Sequence, residues 1–142
     1  MPARPKPFFD TNILVYCFDA ESPAKLTRSR ALVTEACMER YGAVSYQVIQ
    51  EFTNVAVKAA KPMPIANVRR AISELCEPIE IVHFSLGLYD SALAIFARYR
   101  TSWYDALILA AAQQADCAVI YTEDLHHGLQ LGSLRVENPF HI

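Results

Sequence analysis

The sequence predicts a single α/β domain in which helices pack around a short, mainly parallel sheet. Two observations carry this prediction. Short apolar segments alternate with helix-forming patterns along the chain, which is typical of α/β folds. Residues 118–122 are β-branched and apolar on both faces, as a central parallel strand is. With 142 residues, 53% of them hydrophobic and 20% charged, the chain is long enough for one domain with its own core.

The N-terminal part of the chain predicts a strand followed by two helices. The apolar run at residues 7–10 predicts a strand that ends at an acid. Thr11-Asn12 favours a turn or a helix cap, so we expect a helix to open there. Ser22-Pro23 is a helix-start signal because proline fits the first helical position, and it predicts an amphipathic helix over residues 24–40. The apolar residues of that helix include Leu26, Ala31, Leu32 and Met38.

The middle of the chain predicts a short strand between helices. Residues 42–45 supply a turn, a strand and a cap residue. Apolar residues then recur at helical spacing over residues 46–60 and again over residues 65–76. Prolines follow both helices and end them. Residues 79–82 alternate between apolar and polar, which predicts a further strand.

The C-terminal part predicts two more helices and two strands. Ser85 caps a helix whose apolar residues share one face, and Ser102 caps an Ala- and Leu-rich helix over residues 103–115. The strand at residues 118–122 follows, and residues 134–136 predict a last short strand. The shared face of the Ser85-capped helix holds Leu86, Tyr89, Leu93, Phe96 and Tyr99.

Composition excludes several classes of protein. Thirteen Lys and Arg residues against 15 Asp and Glu give a formal net charge of -2, so the chain is not a basic nucleic-acid coat. No apolar run reaches the roughly 18 residues that span a bilayer, and the proline-rich start lacks the apolar core of a signal peptide. We expect a cytoplasmic protein without membrane association, a single domain over residues 1–142 whose residues 1–6 form a flexible tail.

The cysteines do not indicate a metal or disulfide framework. They are widely spaced, lie in apolar surroundings and form neither a CxxC motif nor a Cys/His pair at zinc spacing. We expect four buried thiols that act as small hydrophobic residues. These are Cys17, Cys37, Cys76 and Cys117.

Four acids lie in contexts that suit a functional site. Asp10 ends the first strand, and Asp124 follows the best strand. Sites in open α/β sheets lie beyond the carboxyl ends of strands. Glu51 lies about one and a half turns inside a helix, and Asp105 lies in the first turn of the Ser102-capped helix. Oxygen ligands from several elements are what a hard divalent cation such as Mg²⁺ requires.

Each acid taken alone also has a purely structural interpretation. Asp10 fits a turn or cap residue, and Asp105 occupies the position of a capping-box acid. Glu51 fits a solvated helix flank, and Asp124 fits a loop acid. The hypothesis of a metal site therefore depends on the joint order of the four acids.

That joint order resembles the PIN-domain family, and within it the toxin ribonucleases of VapBC-type toxin–antitoxin pairs. The family places its first acid in an apolar-Asp-Thr/Ser-Asn segment, which Phe8-Phe9-Asp10-Thr11-Asn12 matches. Its second acid is a Glu in a helix after a short strand and a Ser, matched by Ser45 and Glu51. Its third opens an Ala-rich helix, as Asp105 does, and its fourth lies in a Thr-x-Asp segment, as in Thr122-Glu123-Asp124. The resemblance covers nearly the whole chain.

The resemblance implies a three-layer α/β/α sandwich and metal-dependent endonucleolytic cleavage of RNA. It implies that Mg²⁺ or Mn²⁺ is held by Asp10, Asp105 and Asp124, with Glu51 in the same catalytic cluster, and that a water on the metal attacks the phosphodiester. It also implies hydrogen-bonding residues that orient the ligands or the scissile phosphate. These are Thr11, Asn12 and Thr122.

The resemblance further implies two protein partners. Toxins of this type are usually homodimers, and a small antitoxin covers their acidic site. An acidic cleft suits an Arg-bearing inhibitor peptide, through charge-assisted contacts with the carboxylates.

Two other functions share some of these features. A catalytically silent PIN-like module would bind RNA or a protein through the same cleft, and the filled set of four acids argues against it. A phosphatase of the haloacid-dehalogenase type would also begin with the Asp-Thr pair of Asp10-Thr11-Asn12. That family requires a second acid where Asn12 stands.

Aromatic and histidine residues near the acids have two interpretations. Trp103-Tyr104 either packs in its helix or stacks on a nucleobase. His126-His127 does not suit joint metal ligation, because adjacent side chains do not face one point. A contact of either histidine with substrate stays open.

Overall fold

The computed structural model describes residues 4–141. Within this range the polypeptide forms six strands and six helices. The strands are β1 (Pro7–Phe9), β2 (Ala43–Ser45), β3 (Glu80–Val82), β4 (Val119–Tyr121), β5 (Gln130–Leu131) and β6 (Leu134–Glu137). The helices are α1 (Thr11–Tyr16), α2 (Pro23–Glu39), α3 (Tyr46–Lys58), α4 (Ile65–Cys76), α5 (Leu86–Tyr99) and α6 (Trp103–Gln114).

The strands form one sheet in the order β3-β2-β1-β4-β6-β5. All neighbouring strands are parallel except β5 and β6, which are antiparallel. The strand order reverses at β1, because β2 and β3 lie on one side of it and β4 on the other. At this point Phe9 pairs with Tyr121, and the Asp10 amide donates to the Tyr121 carbonyl at 3.0 Å. Such a switch point is where parallel sheets bind ligands.

Helices cover the central sheet in the predicted α/β/α arrangement. Helix α1 packs against α2 and α3, α3 packs against α4, and α5 packs against α6. Both α3 and α6 contact β2. Phe8, Phe9 and Ile120 in the two central strands are fully buried, as expected where both faces of a strand are covered. The prediction of an α/β fold with a mainly parallel sheet is confirmed.

Helix α6 runs back across the sheet before β4. Only residues 115–118 join the two elements, and so short a connection places the end of α6 next to the start of β4. The first turn of α6 therefore lies at the carboxyl edge of the parallel strands. This direction brings Asp105 to the same edge as Asp10 and Asp124.

Helix α2 presents a different face to the core than its sequence pattern indicates. Its buried residues are Ser29, Leu32 and Ala36, whereas Met38 is 81% exposed. Leu32 is the only one of the predicted apolar residues that is fully in the core. The helix is charged over much of its surface, so packing against α1, rather than its own periodicity, decides which stripe is buried.

Helix α5 also divides its apolar residues between the core and the surface. Leu88, Ala92 and Ile95 are buried. Most of the shared face that the sequence indicates is exposed, because α5 buries a narrower stripe of residues where it packs against α6. The exposed residues of that face are Leu86, Tyr89, Leu93 and Phe96.

Two basic residues of the N-terminal segment form ion pairs with the rest of the domain. Arg4 pairs with Glu35 and Glu39, and Lys6 Nζ lies 2.8 Å from a Glu80 carboxylate oxygen. Both basic residues fall in the tail predicted for residues 1–6, whose residues 1–3 lie outside the described range.

The thiols differ from one another in burial. Cys17 and Cys117 are buried, whereas Cys37 and Cys76 are only half-buried, which corrects the prediction for these two. All four are free thiols. Across residues 4–141, no helix combines the length and the apolar character needed to cross a membrane.

Candidate active site

Asp10 lies at the junction of β1 and α1. It caps α1, because its Oδ1 accepts a hydrogen bond from the Thr11 amide at 2.7 Å. Its Oδ2 accepts one from the Thr122 hydroxyl at 2.8 Å, and the residue is only 6% exposed. Burial raises the pKa of Asp10 to about 6, with smaller contributions from the charges of Asp124 and Glu51, although the two hydrogen bonds lower it. Asp10 is therefore a buried acid at the switch point.

Thr122 and Asn12 join the segment after β4 to the first turn of α1. Thr122 is fully buried, and its hydroxyl accepts a hydrogen bond from the Asp124 amide at 3.2 Å while it donates to Asp10. Asn12 Nδ2 donates to Asp124 Oδ2 at 2.9 Å. Asp124 is an exposed residue, and this hydrogen bond holds its carboxylate against the first turn of α1.

Glu51 faces the same cluster from α3. Ser45 caps this helix by accepting the Val48 amide at 3.3 Å, which places Glu51 in the second turn. Thr11 Oγ1 donates to Glu51 Oε2 at 2.9 Å, and Gln47 Nε2 donates to Glu51 Oε1 at 2.8 Å. Both oxygens are thus held by neutral donors, and Glu51 is not a solvated flank residue.

Asp105 lies in the first turn of α6. Its amide donates to the Ser102 hydroxyl at 3.1 Å, which is the predicted helix cap. Gln47 of α3 contacts both α6 and Glu51. Its Nε2 lies 3.4 Å from the Tyr104 carbonyl oxygen and also donates to Glu51 Oε1. Hydrogen bonds therefore connect Asp10, Glu51 and Asp124 through Thr11 and Thr122, whereas α6 is tied to Gln47 through the backbone of Tyr104.

The site is negative and consists of oxygen donors. None of the ion pairs found within residues 4–141 involves any of the four acids. In the same range, no group of three or more His, Cys, Asp or Glu side chains is placed so that it could hold a metal ion. Mg²⁺ typically binds only one or two carboxylates directly and keeps several waters. The donors around Asp10 are oxygens, the kind of ligand that Mg²⁺ prefers in proteins.

Sequence reasoning missed several residues that shape the site. Gln47 precedes Glu51 by four positions, and this spacing, which brings side chains together on a helix, is the signal that could have found it. Glu123 binds Lys25 and Tyr16 rather than the acid cluster. Glu123 and Lys25 are 98 positions apart, so no local pattern indicates their contact.

The aromatic and histidine residues separate into packed and exposed groups. Trp103 packs edge-to-face against Tyr89 and Phe96, with ring centroids 5.0 and 6.1 Å apart, whereas Tyr104 is 67% exposed. His127 Nδ1 accepts the Asn138 amide at 3.0 Å. The packing interpretation therefore holds for Trp103 and not for Tyr104.

The family of the chain follows from its sequence. The family model of the PIN domain matches residues 8–127, a range that includes all four acids. The chain belongs to the PIN domain family. No curated protein matches this PIN domain.

Solved structures share the fold of this PIN domain. A toxin–antitoxin complex from Klebsiella pneumoniae is 22% identical with a TM-score of 0.69, and the match covers 96% of this chain and 99% of that one. VapC20 of Mycobacterium tuberculosis, described as a sarcin–ricin loop cleaving toxin, is 18% identical with a TM-score of 0.58, covering 83% and 89%. VapBC2 of Rickettsia felis, bound to a promoter DNA fragment, is 19% identical with a TM-score of 0.60, covering 93% and 97%. The predicted likeness to VapC-type PIN toxins is confirmed.

Proposed function

We propose that this PIN domain is a metal-dependent endoribonuclease and the toxin of a toxin–antitoxin pair. The observation that carries the proposal is the environment of Asp10. Within residues 4–141 its buried carboxylate accepts hydrogen bonds only from the Thr11 amide and the Thr122 hydroxyl. Burial raises its pKa, with smaller contributions from Asp124 and Glu51. Acids gathered in this way stay ionised at neutral pH when a cation neutralises them.

The proposed ligands of Mg²⁺ or Mn²⁺ are Asp10, Asp105 and Asp124, with Glu51 in the same cluster. When bound, the ion supplies an activated water and stabilises negative charge on the phosphodiester. The chain's own contribution is to hold the carboxylates in place. Thr122 orients Asp10, Asn12 orients Asp124, and Thr11 with Gln47 orients Glu51. Groups held in advance need little reorganisation during the reaction.

The test is cleavage of RNA by the purified protein with Mn²⁺. EDTA is expected to abolish cleavage. Loss of residues around a metal's ligands alone typically costs about 10–100-fold, so Asp10→Asn and Asp105→Asn are each expected to lower the rate by at least about 100-fold. Sequencing the cleavage ends of total RNA then identifies the substrate.

Asp116→Asn is the matched control for Asp105→Asn. Asp116 follows the other end of α6 and is exposed, and its φ of 56° suits asparagine. The Asp116→Asn variant is expected to cleave RNA at the wild-type rate. Wild-type protein that leaves RNA intact with Mn²⁺, or an Asp116→Asn variant as impaired as Asp105→Asn, would refute the proposal.

A non-catalytic PIN module that binds RNA or a protein is the second candidate. It is favoured by the finding that no three ligand-type side chains of residues 4–141 are placed to hold a metal ion. Calorimetric titration separates the two functions. Binding of Mn²⁺ that Asp10→Asn removes supports the nuclease, and no binding at millimolar Mn²⁺ supports the module.

We further propose that a small antitoxin binds this protein. The similar solved structures include toxin–antitoxin complexes, and the acidic site suits an Arg-bearing peptide. An apolar cavity of about 360 Å³ between α1, α2, α3 and α4 adds a surface for an apolar segment of the same partner. Co-purification with the product of a short neighbouring reading frame tests this. Stable, active protein without such a neighbour would contradict it.

We also propose that the protein forms a homodimer. The apolar residues Tyr89, Leu93 and Phe96 are each more than 40% exposed on one face of α5, and exposed apolar patches are typical of protein interfaces. Light scattering is expected to give twice the mass of 15.9 kDa. A monomer at micromolar concentration would contradict the proposal.

A further inference from the structure

Residues 122–124, which follow β4, are held from outside the acid cluster as well as from within it. Thr122 and Asp124 face the cluster, whereas Glu123, between them, binds two residues of α1 and α2. Tyr16 Oη donates to Glu123 Oε1 at 2.6 Å, and Lys25 Nζ lies 2.5 Å from Glu123 Oε2. Both oxygens of the Glu123 carboxylate are therefore bound.

Two aromatic rings lie close to the ammonium group of Lys25. Lys25 Nζ lies 4.9 Å from the centroid of the Tyr16 ring and 5.4 Å from that of Phe140. The two rings meet edge-to-face, with centroids 5.3 Å apart. A cation over aromatic faces is attracted to them. The Lys25 and Glu123 side chains are only 38% and 27% exposed.

The backbone connects this ion pair to Asp124. The Glu123 amide donates to Asn12 Oδ1 at 3.3 Å, and the Asp124 amide donates to Thr122 Oγ1 at 3.2 Å. Asn12 then binds the Asp124 carboxylate. Fixing the Glu123 side chain therefore restricts the peptide segment that presents Asp124.

We infer that Lys25 and Tyr16 are positioning residues. By binding Glu123 they hold residues 122–124 in the conformation in which Asp124 reaches the acid cluster. They touch neither Asp10 nor Asp124 in any hydrogen bond of the described residues. The inference rests on the proposed function in that it gives Asp124 a part in metal binding.

Lys25→Met tests the inference, because methionine keeps an apolar stem between the rings and removes the ammonium group. Binding of Mn²⁺, measured by calorimetry without RNA, is expected to weaken by about tenfold, the lower end of the usual effect of residues that orient metal ligands. The Glu123 and Asp124 amides are expected to exchange with deuterium faster, as measured by NMR.

The matched control is Arg40→Met. Arg40 pairs with Glu77 at 2.8 Å, but both side chains are more than 60% exposed. In the part of the chain that the structure describes, no hydrogen bond joins either of them to a site residue. Mn²⁺ affinity and the exchange of the Glu123 and Asp124 amides are expected to match the wild type.

A double-mutant cycle separates positioning from a direct role of Lys25. If Lys25 acts through Glu123, Glu123→Gln weakens Mn²⁺ binding on its own and adds little to Lys25→Met. If Lys25 binds an RNA phosphate instead, Lys25→Met raises KM for RNA and leaves Mn²⁺ affinity and amide exchange unchanged, which overturns the inference. Wild-type protein that binds no Mn²⁺ would defeat the proposed function, and unchanged amide exchange in Lys25→Met would still defeat the inference independently.

Discussion

At the scale of single residues, Asp10 combines two roles that its sequence context presents as alternatives. It caps α1 through the Thr11 amide, and it lies in the acid cluster beside Glu51 and Asp124. The same carboxylate can do both because its two oxygens face different partners. Its burial means that the charged form is poorly solvated. Ionised Asp10 therefore destabilises the fold when no cation is bound.

The first prediction concerns the pH dependence of stability without metal. The pKa of Asp10 is about 6 in the folded protein against an ordinary value of 3.8. The folded state therefore binds the proton more tightly, and the wild type loses stability as pH rises from about 4 to about 6. Since one pKa unit corresponds to 1.36 kcal/mol, the loss is on the order of 3 kcal/mol.

Asp10→Asn is expected to escape this loss. Thermal unfolding in EDTA should show the variant gaining stability over the wild type between about pH 4 and pH 6, with a constant difference above that range. Added Mn²⁺ should stabilise the wild type alone. A stability difference that does not change with pH would show that Asp10 is not the buried titrating group.

At the scale of elements, three of the four acids lie at or near the N-terminus of a helix. Helices α1, α3 and α6 each begin at the carboxyl edge of the sheet, and the side chains of Asp10, Ser45 and Ser102 cap them. The caps predicted at Ser45, Ser85 and Ser102 are confirmed, because a cap is a local signal. Strand β5, with two residues, is too short to give a periodic pattern, and the sequence did not indicate it.

The second prediction compares two caps of the same kind. Ser102 accepts the Asp105 amide at 3.1 Å, and Ser85 accepts the Leu88 amide at 3.0 Å. Ser102→Ala and Ser85→Ala are each expected to destabilise the protein by about 1 kcal/mol, as removal of a cap typically does. Chemical denaturation measures both effects.

Only Ser102→Ala is expected to lower RNA cleavage as well. Ser102 holds the turn that carries Asp105, whereas Ser85 caps α5, which carries none of the four acids. The expected loss is several-fold at saturating Mn²⁺, measured under conditions where both variants are folded. Equal activities of the two variants would mean that the first turn of α6 does not position Asp105.

At the scale of the whole molecule, packing divides the four thiols into two classes. Cys17 lies at the end of α1 and Cys117 just before β4, and both are buried in the core. Burial raises the pKa of each to about 12. Cys37 and Cys76 are half-buried, and burial raises their pKa values as well.

The third prediction is that thiol reactivity follows these classes. Because the thiolate is the reactive form, Cys37 and Cys76 are expected to react with an alkylating reagent in the folded protein, and Cys17 and Cys117 only after unfolding. Mass spectrometry with and without denaturant counts the modified thiols. Four equal rates in the folded protein would contradict the packing described for α1 and the segment before β4.

Local sequence patterns are enough to predict the α/β class, the helix starts and the ordered set of acids of a PIN domain. These features depend on neighbours within a few positions: a cap residue, an apolar period, or an acid next to a Thr or an Ala-rich run. The sequence alone therefore suffices to select four candidate residues, which are Asp10, Glu51, Asp105 and Asp124.

How those acids are held depends on contacts between distant parts of the chain, which the folded structure alone reveals. The contacts of Thr11 with Glu51, Asn12 with Asp124 and Lys25 with Glu123 span 40, 112 and 98 positions. The folded structure also reveals which faces of α2 and α5 are buried. Both features depend on where distant elements pack against one sheet. The free energy that selects this packing is a sum over contacts throughout the core. A local sequence pattern contains only a few of those contacts and therefore cannot predict the packing.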